Sequence, residues 1–213
     1  MAVTATHRTT ASDNTDLSSY TTASFASTNG DLIIAFVGDF KVTAAPIPTL
    51  TSAHGTWVQG STIARMQIST EIRITCFSCI ANGSSGAVTI DMGGVTIGEC
   101  QWSFTEFGNQ NGIVQSASAV GSSTAPLATL AAFENSANAT IGGVYVNPQI
   151  PTVGSGFTQL GAAGFNGFIN AEWNVGNDTT VDWSTLSAPW HVIALELREA
   201  SVPVPTGGFF AIL

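Results

Sequence analysis

Apolar residues recur along this chain in short alternating runs, and the second half repeats the order of the first. The run Leu32–Val37 precedes a Pro-Thr pair and a Gly-Thr-Trp turn, and Ile141–Val146 precedes a Pro-Thr pair and a Gly-Phe-Thr turn. Further runs follow in matching order and end with Trp102–Phe107 and Trp190–Leu197. Runs of this length, bounded by Gly, Asn and Ser, are typical of β-strands. We therefore predict two matched sets of strands, with the last run of each set buried between two sheets.

The spacing of the turn signals indicates the fold class. Gly-rich clusters recur roughly every 8–12 residues, as in sandwiches and jelly rolls. Asn82–Gly86 and Gly176–Asp178 are each predicted to close a hairpin between the runs on either side. We predict an all-β fold, a jelly-roll-like antiparallel β-sandwich built from the two similar strand sets. Residues 1–198 would form this sandwich, and residues 199–213 an extended apolar C-terminal arm.

Charged side chains are scarce, which limits what the surface can bind. They make up 9% of the chain, the formal net charge is −9, and only five residues are Lys or Arg. Nucleic acids and anionic membranes are bound by clusters of basic residues, so we expect neither as a partner. A surface with few charges is typical of packing against other protein chains. The alternative is a free domain whose surface is coated with Ser, Thr and Asn.

Histidine and cysteine occur without the spacing of a metal or redox site. His7, His54 and His191 are far apart in the sequence. Cys76 and Cys79 have the spacing of a C-x-x-C motif but lie in a predicted strand, where side chains three positions apart point to opposite faces. We therefore predict buried thiols, and we expect no metal and no cofactor.

Acidic residues raise two further alternatives. Glu106 and Glu196 occupy corresponding positions in the two halves, and glycoside hydrolysis requires two carboxylates roughly 5–9.5 Å apart. Nothing in the sequence places these two in one cleft, so we expect no enzymatic activity. Asp91, Asp178 and Asp182 lie near predicted turns but lack the dense Asp-x-Asp pattern of calcium loops. We expect them to be solvated turn residues.

The five tryptophans recur at matching points of the two halves. We predict that they anchor the core, because a buried indole contributes a large apolar area. The alternative is a platform on which sugar rings stack. Two or more of Trp57, Trp173 and Trp183 on one open face would indicate such a platform.

The residues after Arg198 differ from the rest of the chain. They begin with a Pro-spaced stretch and end in Phe-Phe-Ala-Ile-Leu. Exposed, such a tip would promote aggregation, so we predict that it docks on a neighbouring subunit. The alternative is an arm folded onto its own domain. The predicted contact residues are prolines and large apolar side chains: Pro203, Pro205, Phe209, Phe210, Ile212 and Leu213.

The first residues show no export signal. Met1–Thr4 carry no basic segment, and no apolar stretch of signal-peptide type follows. No run of about 20 apolar residues is present either. We therefore expect synthesis in a host cytoplasm and no membrane association.

Several segments combine an apolar strand with an adjacent Gly or Pro turn: Asp31–Val37, Pro48–Thr51 with Gly55–Trp57, Gly86–Ile90, Gly154–Leu160 and Trp190–Leu197. Together they resemble a β-sandwich module of tailed-phage virion proteins and some bacterial surface proteins. The likeness spans residues 20–198 and leaves out the C-terminal arm. It implies a jelly-roll-like sandwich used for structure or adhesion, with no catalytic residue.

The resemblance, the low charge and the apolar arm together predict a non-enzymatic virion structural protein. We expect a decoration (cement) protein on the outside of a phage capsid, with the major capsid protein and copies of itself as partners. The main alternative is a tail-associated or receptor-binding sandwich that recognises cell-surface glycans. A third is a secreted bacterial adhesion module.

Overall fold

A computed structural model of the chain describes residues 1–41, 46–67, 70–133, 135–147, 149–176 and 178–200. Every helix or strand in this part of the chain is a β-strand, so the predicted all-β class is confirmed. No helix long and apolar enough to cross a membrane occurs in these residues. The strands in chain order are β1 (Thr4–Asp13), β2 (Ser19–Thr21), β3 (Phe25–Ala26), β4 (Leu32–Lys41), β5 (Thr49–Ser52), β6 (Val58–Gln67), β7 (Thr70–Ile80), β8 (Ser85–Gly86), β9 (Val88–Asp91), β10 (Glu99–Gly108), β11 (Gln110–Ser123), β12 (Leu127–Thr129), β13 (Ala139–Val146), β14 (Thr152–Val153), β15 (Thr158–Gly164), β16 (Phe168–Val175), β17 (Thr180–Ser184) and β18 (Ala188–Glu199).

The sheets of the second half repeat those of the first. The first half has a five-stranded sheet in the order β1-β10-β4-β7-β6 and a three-stranded sheet in the order β2-β9-β5. In the second half the orders are β11-β18-β13-β16-β15 and β12-β17-β14. Each strand in one order has its counterpart in the other, and β3 and β8 form an additional pair in the first half. The predicted jelly-roll-like antiparallel sandwich of two similar strand sets is therefore confirmed.

The two five-stranded sheets pack face to face and form a central sandwich. Their shared core contains Ile34, Phe36 and Ile74 from the first half and Ile141 and Ile193 from the second. Each three-stranded sheet covers the outer face of its own five-stranded sheet over a separate core. The described part of the molecule therefore has four layers of sheet, and its three hydrophobic cores lie between them.

Alternation along β10 and β18 sends side chains of each strand into two different cores. On β10, Phe104 belongs to an outer core and Phe107 to the central core. On β18, Val192 faces an outer core and Ile193 the central core. Both strands are covered by sheets on both faces, as the sequence predicts.

Where β4 and β13 meet in the central core, an aromatic ring of each strand packs on a glycine of the other. Phe36, the fifth residue of β4, packs on Gly143, the fifth residue of β13; a Cβ on Gly143 would lie 2.4 Å from the Phe36 ring. Tyr145, the seventh residue of β13, packs on Gly38, the seventh of β4, where a Cβ would lie 2.4 Å from the Tyr145 ring. Each half therefore contributes one aromatic ring and one glycine at matching positions.

The two predicted hairpins are wrong. β7 pairs with β4 and β6, whereas β9 pairs with β2 and β5, so Asn82–Gly86 carries the chain from the five-stranded to the three-stranded sheet. β16 and β17 are likewise in different sheets. A Gly-rich turn reverses the chain equally well within a sheet and between sheets, so its sequence does not distinguish the two.

Candidate functional site

An apolar groove lies at one edge of the central sandwich, where the start of β6 and the end of β7 lie beside the start of β11. Its volume is about 500 Å³, within the range of roughly 300–1,000 Å³ that small-ligand sites occupy. The residues that line it are mostly apolar and come from both halves, and they include Leu32, Val58, Cys79, Ile80, Gly112 and Ile113.

Three apolar side chains of this groove are exposed to solvent. Val58 is 60% exposed, Ile80 57% and Ile113 40%. Single exposed apolar residues are common on protein surfaces, but several around one concave site indicate a contact with a partner. The groove is therefore a surface suited to bind an apolar ligand or segment.

Irregular edge strands form the walls of this groove. β6 and β11 are the edge strands of their sheets, and both pair irregularly close to the groove: β6 between Gln59 and Thr62, and β11 on both sides of Ile113. Gly112 has a positive φ of 86°, which an L side chain rarely adopts, and its N–H donates to the side-chain oxygen of Gln110. Bulges bend edge strands, so we attribute the opening of the groove to these irregularities.

The opposite edge of the sandwich, formed by β1 and β15, is closely packed. Gly161 of β15 lies against Thr10 and His7 of β1, and a Cβ on Gly161 would lie 2.1 Å from Thr10 Oγ1. The Thr10 hydroxyl also donates to Ser103 at 3.1 Å. The two halves match in topology, but their two shared edges differ: one is packed and the other carries the groove.

Glu106 and Glu196 each form contacts within their own half. Arg8 of β1 donates two hydrogen bonds to Glu106, with its Nη2 2.9 Å from Oε1, and the Thr28 N–H donates to the same oxygen. Gln115 of β11 donates to Glu196 at 2.6 Å, and Asn138 donates to its other oxygen. The structure therefore does not join the two carboxylates in one cleft.

Hydrogen bonding keeps Glu106 ionised. Burial alone would raise the pKa of Glu106, but the bonds from Arg8 and Thr28 hold it below its usual value. A carboxylate fixed in this way forms a structural ion pair with Arg8.

Glu99 makes a contact that sequence reasoning missed. Its buried carboxylate, on β10 of the first half, accepts N–H bonds from Phe165, Asn166 and Gly167 at 3.0–3.2 Å. These three residues form the turn between β15 and β16 of the second half. Successive N–H groups that converge on one anion make a strong site, so Glu99 ties the two halves together. The only signal in the sequence is a Glu at the start of an apolar run in a chain with few charges.

Two buried acids have strongly raised pKa values. Burial raises the pKa of Glu172 to about 8, although the Gly154 N–H donates to one of its oxygens. Burial also raises the pKa of Asp39 to about 8, against the opposing attraction of Arg73. The charged groups that act on the pKa of Asp39 are Arg73 and Glu71, and those that act on Glu172 are Asp182 and Asp178, so neither acid perturbs the other.

Histidine and cysteine side chains take part in packing. His54 stacks on Phe25 with ring centroids 4.2 Å apart, and its ring nitrogens bond to Ser27 and Gly86. Cys76 belongs to the central core and Cys79 to the outer core of the first half, so the predicted opposite orientation is confirmed. Within the described residues, no group of three or more His, Cys, Asp or Glu side chains could hold a metal.

The tryptophans pack into the cores, as predicted. Trp57 meets Phe104 edge-on at 5.6 Å, and Trp173 meets Phe107 edge-on at 6.2 Å. Trp183 is buried in the outer core of the second half, whereas Trp57 and Trp173 are partly buried and pack against the outer core of the first half and the central core. No two of these three indoles pack on the same core, so the arrangement that would indicate a sugar-stacking platform is not seen among them.

The predicted contact residues of the arm, Pro203, Pro205, Phe209, Phe210, Ile212 and Leu213, lie outside the described residues, so their role stays a prediction. The last described contact before them is the Ala200 N–H, which donates to the Asn109 carbonyl at 2.8 Å. The arm therefore begins beside the start of β11, the strand that contributes Ile113 to the groove.

Comparison with known proteins gives no match to a family model, a curated protein or a solved structure. The function is therefore inferred from the described surface and from the composition of the chain.

Proposed function

We propose that this protein is a non-enzymatic structural protein of a virion, a decoration (cement) protein on the outside of a phage capsid. The observation that carries the proposal is the exposed apolar groove at the open edge of the central sandwich. Val58, Ile80 and Ile113 give this groove an apolar surface that an adjacent chain would cover. The partners would be the major capsid protein and copies of this chain.

The composition supports a surface used for protein packing. Charged residues are only 9% of the chain. A contact between subunits therefore buries few charged groups, and burial of charged groups is costly. The net charge of −9 also disfavours contact with the nucleic acid inside a shell. An outer position, away from the genome, fits both properties.

The buried ionisable groups support a structural role. Glu106 pairs with Arg8, Glu196 accepts bonds from Gln115, and Glu99 accepts N–H groups from the other half. All three carboxylates hold strands and turns in place, which suits a rigid module better than a catalytic cleft.

A tail-associated protein that recognises cell-surface glycans is the second candidate. Trp57, Trp173 and Trp183 give it little support, because each packs into a different core. The described residues that line the groove include no aromatic side chain, whereas sugar rings are usually bound by aromatic faces.

Copy number in purified particles tests the proposal. Quantitative mass spectrometry should find this chain in a fixed, shell-wide ratio to the major capsid protein, and imaging should place it on the shell exterior. Val58→Asp should lower incorporation because it puts a charge in the groove. Val175→Asp is the matched control, since Val175 is 42% exposed and does not line the groove. A few copies at a tail would favour the glycan-binding candidate, and absence from particles would contradict both.

A further inference from the structure

We propose that the groove receives the last residues of a second copy of this chain, residues 209–213, here called the terminal segment. The inference deepens the proposed function and rests on it for the expectation that copies assemble. It names the surface that accepts the arm and makes each chain both a donor and an acceptor.

The chemistry of the terminal segment matches the groove. Its sequence is Phe-Phe-Ala-Ile-Leu, and the groove presents Val58, Ile80 and Ile113. Burial of apolar area on both sides drives such a contact. The groove also lies between edge strands β6 and β11, whose outer backbone edges can pair with an added extended segment.

The path of β18 favours a second copy over the same chain. Ile113 of the groove pairs with Leu197, whereas β18 continues to Glu199. Along the direction of β18, a chain's own groove therefore precedes the point where the arm begins. Pro203 and Pro205 favour an extended course at about 3.1 Å per residue.

The length of the arm is sufficient to reach a neighbour. At about 3.1 Å per residue, an extended stretch of eight residues, the number from 201 to 208, would span roughly 25 Å before the terminal segment begins. Donation from one copy to the groove of the next is a head-to-tail contact, which closes into a ring when the rotation between copies permits. Such a ring would fit a local symmetry axis of a shell.

Two complementary variants test the proposal in solution. The first ends at Ala200 and keeps the groove; the second carries Val58→Asp and Ile80→Asp and keeps the arm. Both substituted side chains are more than half exposed, so the fold should be retained, which circular dichroism checks. By sedimentation, the full chain should self-associate, and each variant alone should self-associate at least about tenfold more weakly. The Val175→Asp chain should associate as the unchanged chain does.

The decisive measurement is the mixture of the two variants. The intact arm of the second should enter the intact groove of the first, so the mixture should form one-to-one pairs and stop there. Failure of the mixture to pair, or self-association of either variant at the strength of the full chain, would overturn the proposal. A monomeric full chain would overturn it too, and increased binding of an apolar dye after removal of the arm would then assign the groove to the chain's own arm.

The two proposals fail in different ways. If the variants pair in solution but the chain is absent from particles, the groove and its occupant stand and the virion role is wrong. If the chain is on the shell but the variants do not pair, the virion role stands and the second-copy occupant is wrong.

Discussion

Replacement of Gly143 by alanine tests whether the two halves are fitted together at single positions. The alanine Cβ would lie 2.4 Å from two ring carbons of Phe36, whereas relaxed carbon contacts lie at about 3.5–4.0 Å. Both residues are in the central core but in different halves, so the clash is relieved only if the ring rotates or the sheets separate. No positive φ is involved, so the effect is steric.

The expected loss of stability follows from two opposing effects. Overpacking of a filled core costs about 1–3 kcal/mol. Gly to Ala also stiffens the unfolded chain, which stabilises by about 0.4–1 kcal/mol. The net change should be a destabilisation of about 1–2 kcal/mol, which lowers Tm by about 2–8 °C in a chain of this size.

Urea and thermal unfolding, followed by circular dichroism, measure this change. Gly60→Ala is the control, because Gly60 is also in a strand but a Cβ there has no neighbour closer than 3.5 Å. The double variant Gly143→Ala with Phe36→Leu should recover part of the loss, with a coupling energy of about 1 kcal/mol. Equal effects at Gly143 and Gly60, or strict additivity in the double variant, would refute the fit between Phe36 and Gly143.

Two further predictions concern buried acids. Glu99→Gln should lower the free energy of unfolding in urea by about 2–4 kcal/mol, because the new NH₂ group faces backbone N–H donors. Glu199 is partly exposed, so Glu199→Gln serves as the control and should leave the free energy of unfolding nearly unchanged. Burial raises the pKa of Glu172 from 4.5 to about 8, so in this range the folded chain binds a proton that the unfolded chain releases. Stability should therefore fall as pH rises from about 5 to 8 and level off above, by at most about 1.4 kcal/mol per pH unit for this group. Glu172→Gln should reduce that slope, and an unchanged slope would contradict the assignment.

The strands and their repetition were predictable because alternation and apolar runs are local properties of the sequence. β10 and β18 are the clearest cases, since both carry apolar runs and both are covered by sheets on both faces, although β10 also buries polar side chains such as Gln101 and Thr105. The partners of β7 and β9 were not predictable, because the turn Asn82–Gly86 suits a hairpin and a crossover equally well. Pairing is decided by which core each strand faces.

The groove could not be predicted from the sequence, for a different reason. Val58, Ile80 and Ile113 are far apart in the chain, and two halves must pack before they meet. Glu99 was missed because its partners are backbone N–H groups of a turn in the other half, and backbone groups leave no residue pattern. The arm, by contrast, stays a prediction from composition, because residues 201–213 lie outside the described residues.

The exchange of rings and glycines across the middle of the molecule makes homotypic pairing of the halves unfavourable. Two copies of the first half would bring Phe36 against Phe36 and leave Gly38 facing Gly38. The two rings would overlap, and a void would remain between the two glycines. Two copies of the second half would do the same with Tyr145 and Gly143. Overlap and void each cost stability, so a first half is matched only by a second half. These four residues thus give a duplicated fold the partner selectivity of a heterodimer. Exchange of halves between two chains is then favourable only when the first half of one chain pairs with the second half of the other.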